Sequence, residues 1–388
     1  MKHALWFSLF VLLALTPSSP AAELGDGWES RDPAVRTLLC DVSFADERNG
    51  WACGIRTIIH TSNGGRTWRK QWAGKEGYWI NSVAALSPDV AVACGFRYGH
   101  DGPGIVLRTA DAGKTWNPIA VDANKDAAYC SMVFRPDRTT GYLISNRSGL
   151  HRTTDAGLTW QHVQVPSYPG RCWVATHKVI AIPDADTIIV GGERAINRST
   201  DGGKTWSVLP LPAGTKNPHD QIMYLRFATP DRGWINMLGG ASLQTTDGGQ
   251  TWERSTAPGE PFFISAREGW ALNGYNVAHS ADGGLTWDAP VRIGGGQARL
   301  VALTASAKRV HVVGGGEGTG TPFIADRLRP GITEEKEPDG VIPITFNLPE
   351  AGYATIQILN DRDEVVENVV AGQPFPAGEN TVYWNLST

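Results

Sequence analysis

One eight-residue pattern occurs six times in this chain and constrains its fold more than any other feature. Each copy reads Ser/Thr-x-Asp-x-Gly-x-Thr-Trp, with Asn at the third position of the first copy, and the copies are residues 61–68, 109–116, 153–160, 199–206, 245–252 and 280–287. They begin 35 to 48 residues apart. Self-similarity at such a period is typical of stacked supersecondary units, none of which can bury its apolar face alone. The sequence therefore predicts a protein built from repeated, packed units.

The octet has the composition of a tight turn that leads into a strand. We expect the acid or amide at its third position to accept hydrogen bonds from backbone N–H groups about two residues further on. The glycine at the fifth position suits a backbone with positive φ, and the final Thr-Trp begins a strand whose indole packs on a neighbouring unit. The third-position residues are therefore predicted to be structural and not catalytic: Asn63, Asp111, Asp155, Asp201, Asp247 and Asp282.

Short alternating strands precede the octets, such as Val42–Phe44 with Gly50–Gly54, and Leu225–Phe227 with Gly233–Asn236. With a turn between them, such segments are typical of a four-stranded antiparallel blade. The octet is the Asp-box of sialidases and related β-propellers. Together with the strand phrases, residues 26–326 resemble the seven-bladed propellers of the photosystem II assembly and stability factor family. The resemblance implies an all-β fold, a seven-bladed β-propeller with Asp-box repeats over residues 23–329.

The count of seven blades includes one blade without an Asp-box. Six boxes predict six blades, and a seventh set of strands follows at Leu300–Leu303, Val310–Gly314 and Pro322–Ala325. Residues 27–33 look like the strand that follows a box elsewhere. We expect them to complete the seventh blade and close the ring, which removes exposed sheet edges.

The segments outside the propeller are also readable. Residues 1–22 have a basic start, an apolar core from Ala4 to Leu15 and small residues at the end, which is typical of a secretory signal peptide. The apolar core is too short to span a membrane as a helix. The sequence therefore predicts an exported protein without a membrane span. We expect it either in the periplasm or outside the cell, including at the cell surface.

A charged linker at residues 330–340 leads to a predicted second domain at 341–388. Its alternating strands resemble the Ig-like domain of flagellar hook-capping proteins and of many bacterial surface proteins, which implies a small β-sandwich. The resemblance departs at Thr388, where the chain stops and that module continues into a last strand. The sequence thus predicts either a shortened Ig-like domain or a chain that is a fragment of a longer one.

Charge and cysteine content exclude some classes of function. A net charge of −4 argues against nucleic acid as a partner. The spacing of the five cysteines is not that of a zinc site, and we expect no metal, cofactor or catalytic residue. Cys40 and Cys53 lie on opposite arms of a predicted hairpin, so either a disulfide in an oxidising compartment or buried thiols are consistent with the sequence.

The face opposite the Asp-boxes is where we expect ligand binding. Four successive blades carry an arginine at equivalent loop positions, namely Arg56, Arg97, Arg147 and Arg194. Guanidinium groups arranged in an arc suit carboxylates, acidic peptide segments or acidic sugars; the alternative is four solvated turn residues. Trp173, in a long loop, is a candidate for exposure, as are Tyr78 and Trp79, although each is also a plausible packing residue.

These observations favour a non-enzymatic binding or assembly scaffold with a protein partner or an acidic ligand. There are two alternative classes: glycoside hydrolases of the sialidase or xyloglucanase-like type, which share the Asp-box, and polysaccharide-binding or adhesion modules. The Phe/Tyr-Arg-Ile-Pro start of sialidases is absent, and no carboxylate pair stands out as an acid and a base. Because fold alone does not settle function, both remain alternatives.

Overall fold

The computed structural model describes most of the chain, and all regular elements in the described part are β-strands. The described residues are 6–8, 27–75, 77–97, 104–121, 128–145, 149–166, 179–191, 195–210, 222–237, 241–293, 299–306, 308–315, 322–332, 341–348, 350–359 and 365–385. Contacts between Cα atoms divide the chain into two compact units, one of residues 21–332 and one that joins residues 1–20 to residues 333–388.

Residues 21–332 form seven four-stranded antiparallel sheets, the blades of a propeller. In blades one to six the chain runs from an inner strand through second and third strands to an outer strand. The strands of blades one to three are Leu39–Phe44, Gly50–Gly54, Thr57–Thr61 and Arg69–Ala73; Tyr78–Ala85, Ala91–Arg97, Gly104–Thr109 and Asn117–Pro118; and Tyr129–Phe134, Gly141–Ser145, Gly149–Thr153 and Gln161–Val163.

The remaining blades repeat this order. Blades four to six are Ile180–Ala181, Ile188–Gly191, Ala195–Ser199 and Ser207–Pro210; Ile222–Phe227, Gly233–Met237, Ser242–Thr245 and Glu253–Arg254; and Glu260–Phe263, Gly269–Asn273, Asn276–Ser280 and Val291–Arg292. Blade seven has Arg299–Ala305, Arg309–Gly315 and Pro322–Leu328 as its first three strands. The all-β, seven-bladed fold predicted from the repeats is confirmed.

The outer strand of blade seven comes from the other end of the chain. Glu29–Arg31 pairs antiparallel with Pro322–Leu328, in the register Glu29↔Asp326, Ser30↔Ala325 and Arg31↔Ile324. Trp28, directly before this strand, is 1% exposed and packs in the same hydrophobic cluster as Trp270 of blade six. The N-terminal strand thus joins the two ends of the propeller.

Second strands are the most buried, because each lies between two strands of its own blade and between two neighbouring blades. Gly50–Gly54, Gly141–Ser145 and Arg309–Gly315 are buried along their whole length. Such strands read as nearly continuous apolar runs, which is the pattern that burial on both faces requires. Cys40 and Cys53, with Cys94 and Cys130, are buried thiols.

In its described residues the second unit contains five strands in two sheets, four of them after residue 340. Val341–Leu348 pairs with Gly378–Asn385, and Gly352–Leu359 pairs with Val365–Phe375. Ile344, Phe346 and Ile356 form its small core. The Ig-like assignment stays a prediction.

Most of the predicted signal peptide lies outside the described residues. Within it the structure describes Trp6–Ser8, a three-residue strand that pairs parallel with Gly352–Leu359. Among the described residues, no helix is long and apolar enough to cross a membrane.

Candidate functional site

Each Asp-box closes the connection between a third and an outer strand by the same set of hydrogen bonds. In the box of blade two, the hydroxyl of Thr109 donates to Asp111 Oδ1 at 2.8 Å and accepts from the backbone N–H of Gly113 at 2.9 Å. Thr115 then donates to the same aspartate twice, from its backbone N–H at 2.9 Å and from its hydroxyl at 2.6 Å. The two hydroxyl groups and the carboxylate of the box are therefore hydrogen-bonded within the turn itself.

The expected acceptor geometry was wrong in one detail. The box carboxylate accepts from a residue four positions further on, as Asp111 does from Thr115 and Asp282 does from Thr286, and not from one two positions on. In blades four and five it also accepts from the backbone N–H three positions on. The reason is that the seventh-position threonine offers both a backbone and a side-chain donor, which a shorter turn cannot supply. Hydrogen bonding by the Thr115 hydroxyl lowers the pKa of Asp111 to about 2, and that by Thr286 lowers the pKa of Asp282 to about 2.

Blade one shows that an amide can replace the carboxylate. Asn63 Oδ1 accepts from the Thr61 hydroxyl at 3.0 Å and from the Thr67 N–H at 3.0 Å. Its Nδ2 then donates to the Thr67 hydroxyl at 2.9 Å, so the direction of this last bond is reversed. The turn is the same with or without a negative charge.

Backbone carbonyl groups of the boxes also accept hydrogen bonds from the preceding blade. Arg108 Nε donates to Ala156 O at 3.0 Å, and Arg198 Nε donates to Gly248 O at 2.8 Å. In the first seam, Gln71 Nε2 donates to Ala112 O at 2.6 Å. The box face therefore joins blades together, and its aspartates are occupied by turn contacts.

The opposite face carries the candidate arginines that the structure describes. Arg56 is exposed in the turn between the second and third strands of blade one, with a φ of 58°. Its backbone N–H donates to the carbonyl oxygen of Tyr78 in the inner strand of blade two, at 2.9 Å. The neighbouring residue Ile55 forms an antiparallel bridge with Trp79. This turn is thus held directly against the next blade.

Arg97 lies at the same junction. It is the exposed last residue of the second strand of blade two and is paired in register with Tyr78. Tyr78 is half-buried and meets Trp72 of blade one edge to face, with ring centroids 6.4 Å apart. The structure therefore places the backbones of Arg56 and Arg97 beside that of Tyr78. We call the group Arg56, Trp72, Tyr78, Trp79 and Arg97 the blade-one/two corner.

The other predicted ligand-binding residues, Arg147, Arg194 and Trp173, lie outside the described residues. One cation at the corner was missed by sequence reasoning. Lys75 is exposed in the loop between blades one and two, and its carbonyl accepts from the N–H of Tyr78 at 3.4 Å. Lys75 lies in the sequence between the outer strand of blade one and the aromatic residues that begin blade two. That position could have identified it.

A cavity of about 570 Å³ is lined by the inner strands. Asp41, one acid that lines it, is buried and accepts from the Ser82 hydroxyl at 2.9 Å and the Val83 N–H at 3.1 Å. Glu260, another, lies 3.8 Å from Arg226. Asp41 and Glu260 each contact a neighbouring inner strand. Both carboxyl groups are therefore engaged in contacts within the protein.

Comparison with known proteins finds a match over most of the propeller. The model of the family described as photosynthesis system II assembly factor YCF48 matches residues 21–166 and 174–317. Photosystem II assembly protein Ycf48 of Thermosynechococcus vestitus is 25% identical over 302 residues, which covers 66% of this chain and 83% of that protein.

Two solved structures show the same fold. The structure of YCF48 bound to D1 peptide has a TM-score of 0.61 at 21% identity and covers 80% of this chain and 99% of that one. The GH74 xyloglucanase from Xanthomonas campestris has a TM-score of 0.52 at 16% identity and covers 90% of this chain and 63% of that one. At these identities the likeness concerns the fold alone.

Proposed function

Since this chain belongs to the family of photosynthesis system II assembly factor YCF48, we propose that it is an exported, non-enzymatic assembly scaffold. It binds a segment of a partner protein on the face opposite the Asp-boxes, and the blade-one/two corner is part of the binding surface. From their positions in the repeats of the sequence, we propose that Arg147 and Arg194 extend that surface along the next two blades, together with Trp173.

The observation that carries the proposal is the position of the Arg56 and Arg97 backbones beside that of Tyr78. Both guanidinium groups are exposed, and the backbones that present them are held by strand pairing and by the hydrogen bond from Arg56 to Tyr78. A planar guanidinium binds carboxylates through two parallel hydrogen bonds. Aromatic rings beside it supply contact area for an apolar side chain at low entropic cost.

This arrangement suits an extended peptide segment that contains an acidic side chain or a terminal carboxylate. One of the similar solved structures is YCF48 bound to D1 peptide, so a propeller of this family can bind a peptide. The export of the chain is proposed from the pattern of residues 1–22, which would place the binding surface in the periplasm or outside the cell.

The test is affinity capture from the host's envelope and secreted fractions. The bait is the protein that begins at Glu23, beside a variant in which Arg56, Arg97, Arg147 and Arg194 are changed to alanine. We expect a defined protein partner that is retained by the unchanged bait and lost with the variant. Rim charges act mainly on association, so the loss should be larger at low ionic strength.

A matched control removes exposed cations from the opposite face. Lys114 and Lys204 are exposed positions of two Asp-boxes. Their replacement by alanine, compared with the double variant of Arg56 and Arg97 that removes the same charge, should leave capture unchanged. Equal loss with this control would mean that net charge matters and the arginine face does not. Capture of glycan in place of protein would overturn the proposal in favour of a polysaccharide-binding module or a glycoside hydrolase.

A further inference from the structure

The seam between blades six and seven differs from the other described seams because blade seven has no Asp-box. In blades one to six a box stands between the third and the outer strand, and in blades one to five its tryptophan directly precedes the outer strand. In blade seven Trp28 directly precedes the outer strand Glu29–Arg31. No box joins this strand to the third strand, because the third strand ends at Leu328 and the outer strand comes from the start of the chain. A cavity of about 240 Å³ lies at this place.

Both sides of the seam line this cavity. Blade six contributes Trp270, His279 and Asp288, and blade seven contributes Trp28, Arg327 and Pro330. The Asp288 side chain is 74% exposed, so the cavity has a route to solvent. The guanidinium of Arg327 lies over the ring of Trp28, 5.8 Å from its centroid.

Two buried polar atoms of this group have no hydrogen-bond partner among the described residues. They are Nε1 of Trp270, whose side chain is 1% exposed, and Nε2 of His279. His279 Nδ1 lies 3.2 Å from Asp288 Oδ2, and because a carboxylate only accepts, Nδ1 carries the proton. In a ring that carries its proton on Nδ1 alone, Nε2 is an acceptor. Buried donors and acceptors without partners are costly. Other indoles, such as that of Trp234, also have no partner in the described part, but Trp270 and His279 line this cavity.

Blade one contains the same pair with a partner for its indole, whereas Nε2 of His60, like that of His279, has none among the described residues. Trp51 and His60 occupy the strand positions of Trp270 and His279, and their rings lie 4.5 Å apart, compared with 5.0 Å in blade six. The indole N–H of Trp51 donates to Oε1 of Gln71 at 3.0 Å. Nε2 of Gln71 crosses the seam to the box of the next blade.

No residue of blade six takes the place of Gln71. Gln71 is the third residue after the box tryptophan Trp68, and the third residue after Trp287 is Pro290, which has no side-chain donor or acceptor. At the seam between blades five and six the box itself fills the space, because a Cβ on Gly284 would lie 2.8 Å from Cζ2 of Trp234. Among the described residues, the seam at blade seven has neither a glutamine nor a box.

We propose that this seam is a binding site for a primary carboxamide group, such as the side chain of glutamine or asparagine. The carbonyl oxygen of the amide accepts from Trp270 Nε1, as Gln71 accepts from Trp51. The amide nitrogen donates to His279 Nε2, and the chain that bears the amide leaves past Asp288. The site is separate from the blade-one/two corner and does not depend on the proposed function.

The test titrates the protein with propionamide and with propionate and follows the indole N–H resonances by NMR. We expect the Trp270 resonance, assigned from the variant Trp270→Phe, to shift and saturate with propionamide, and to respond at least tenfold more weakly to propionate, which cannot donate to His279. By calorimetry, Trp270→Phe should weaken propionamide binding by about 2- to 10-fold, the loss of one hydrogen bond.

A second variant fills the site from within the chain. Pro290 is exposed, and Pro290→Gln places a carboxamide where Gln71 lies in blade one, so it should abolish binding. Trp51→Phe is the control that should leave it unchanged. Comparison of free glutamine with N-acetylglutamine methylamide distinguishes a metabolite from a peptide side chain as the source. The proposal is overturned if propionamide shifts no indole resonance, if propionate acts equally, or if Pro290→Gln retains binding.

Discussion

Arg31 donates from Nε to Oδ1 of Asp326 at 3.0 Å, and this hydrogen bond joins residues 295 positions apart in the chain. Arg31 belongs to the N-terminal strand and Asp326 to the third strand of blade seven. The Asp326 side chain is completely buried, and Arg309 also reaches it, at 3.1 Å. Burial raises the pKa of Asp326, and the guanidinium groups of Arg31 and Arg309 oppose that shift. The closure of the ring therefore contains a buried ionic cluster.

We predict that Arg31→Ala destabilises the propeller by about 3 kcal/mol, because it leaves a buried carboxylate with one of its two arginine partners removed. The measurement is the free energy of unfolding in urea. Arg36→Ala, an exposed arginine in the segment that follows, should change it by less than about 0.5 kcal/mol. Adding Asp326→Asn to Arg31→Ala should cost less than the sum of the single changes, and strict additivity would contradict the cluster.

Removal of the whole N-terminal strand should have a different consequence. A chain that begins at Asp32 exposes the backbone edge of Pro322–Leu328, and an unpaired edge is a template for association with another chain. We expect it to form oligomers in size-exclusion chromatography, whereas a chain that begins at Gly27 stays monomeric. A synthetic peptide of residues 27–33 should restore the monomer. A monomeric shortened chain would show that this strand is dispensable for closure.

His311 predicts a pH dependence of stability. It is completely buried, stacks on Phe44 with ring centroids 4.1 Å apart, and burial, with Arg309 and Arg31, lowers its pKa from 6.5 to about 3. The unfolded chain therefore takes up a proton near pH 6.5 that the folded protein takes up only near pH 3. Stability from this group is complete above pH 6.5 and falls as the pH decreases, by up to about 1.4 kcal/mol per pH unit.

The variant His311→Phe keeps the stack on Phe44 and removes the titrating group. Its free energy of unfolding should depend less steeply on pH between 6 and 4 than that of the unchanged protein. A residual slope of the same sign is expected from His60, whose pKa burial lowers to about 4. Identical slopes in the two proteins would contradict the prediction.

The Asp-boxes add a second acid-dependent contribution at lower pH. The pKa of Asp111 is lowered to about 2 by the Thr115 hydroxyl, so its contribution is present above pH 4 and is lost as the pH falls from about 4 to about 2. Asp111→Asn should fold, because Asn63 forms the same turn with an amide, and should flatten the loss of stability in this range. Asn63→Asp, the reverse change in blade one, should steepen it.

The repeats were enough to predict the seven-bladed fold, because each octet marks one blade and each strand phrase marks its inner half. Partner residues far apart in sequence could not be predicted in the same way. The segment 27–33 reads as an outer strand, but only the ring closure shows that Arg31 meets a buried Asp326. The box carboxylates were placed correctly in turns, with a wrong donor position, because a two-residue Asx turn and the observed four-residue turn fit the same sequence.

The sequence indicated the face of the propeller on which the two described arginines lie, but not the residues that lie beside them. Equivalent loop positions placed Arg56 and Arg97 on one face of the propeller, and both are exposed there. Tyr78 was considered separately, as a residue that is either exposed or packed. Its position beside the two arginines follows from the contact between one blade's turn and the next blade's inner strand, a contact between blades that no local pattern encodes.

Arg56 offers a way to separate binding from folding. Its φ of 58° lies in the left-handed region, where glycine is favoured over arginine. Arg56→Gly keeps the backbone N–H that donates to Tyr78 and removes the guanidinium, so we expect stability to be unchanged or to rise by up to about 1 kcal/mol while partner capture weakens. Arg56→Lys, which keeps one positive charge without the planar fork, should retain part of the capture. A glycine variant that unfolds more easily would show that the arginine side chain supports the turn, and one that retains full capture would remove Arg56 from the binding surface.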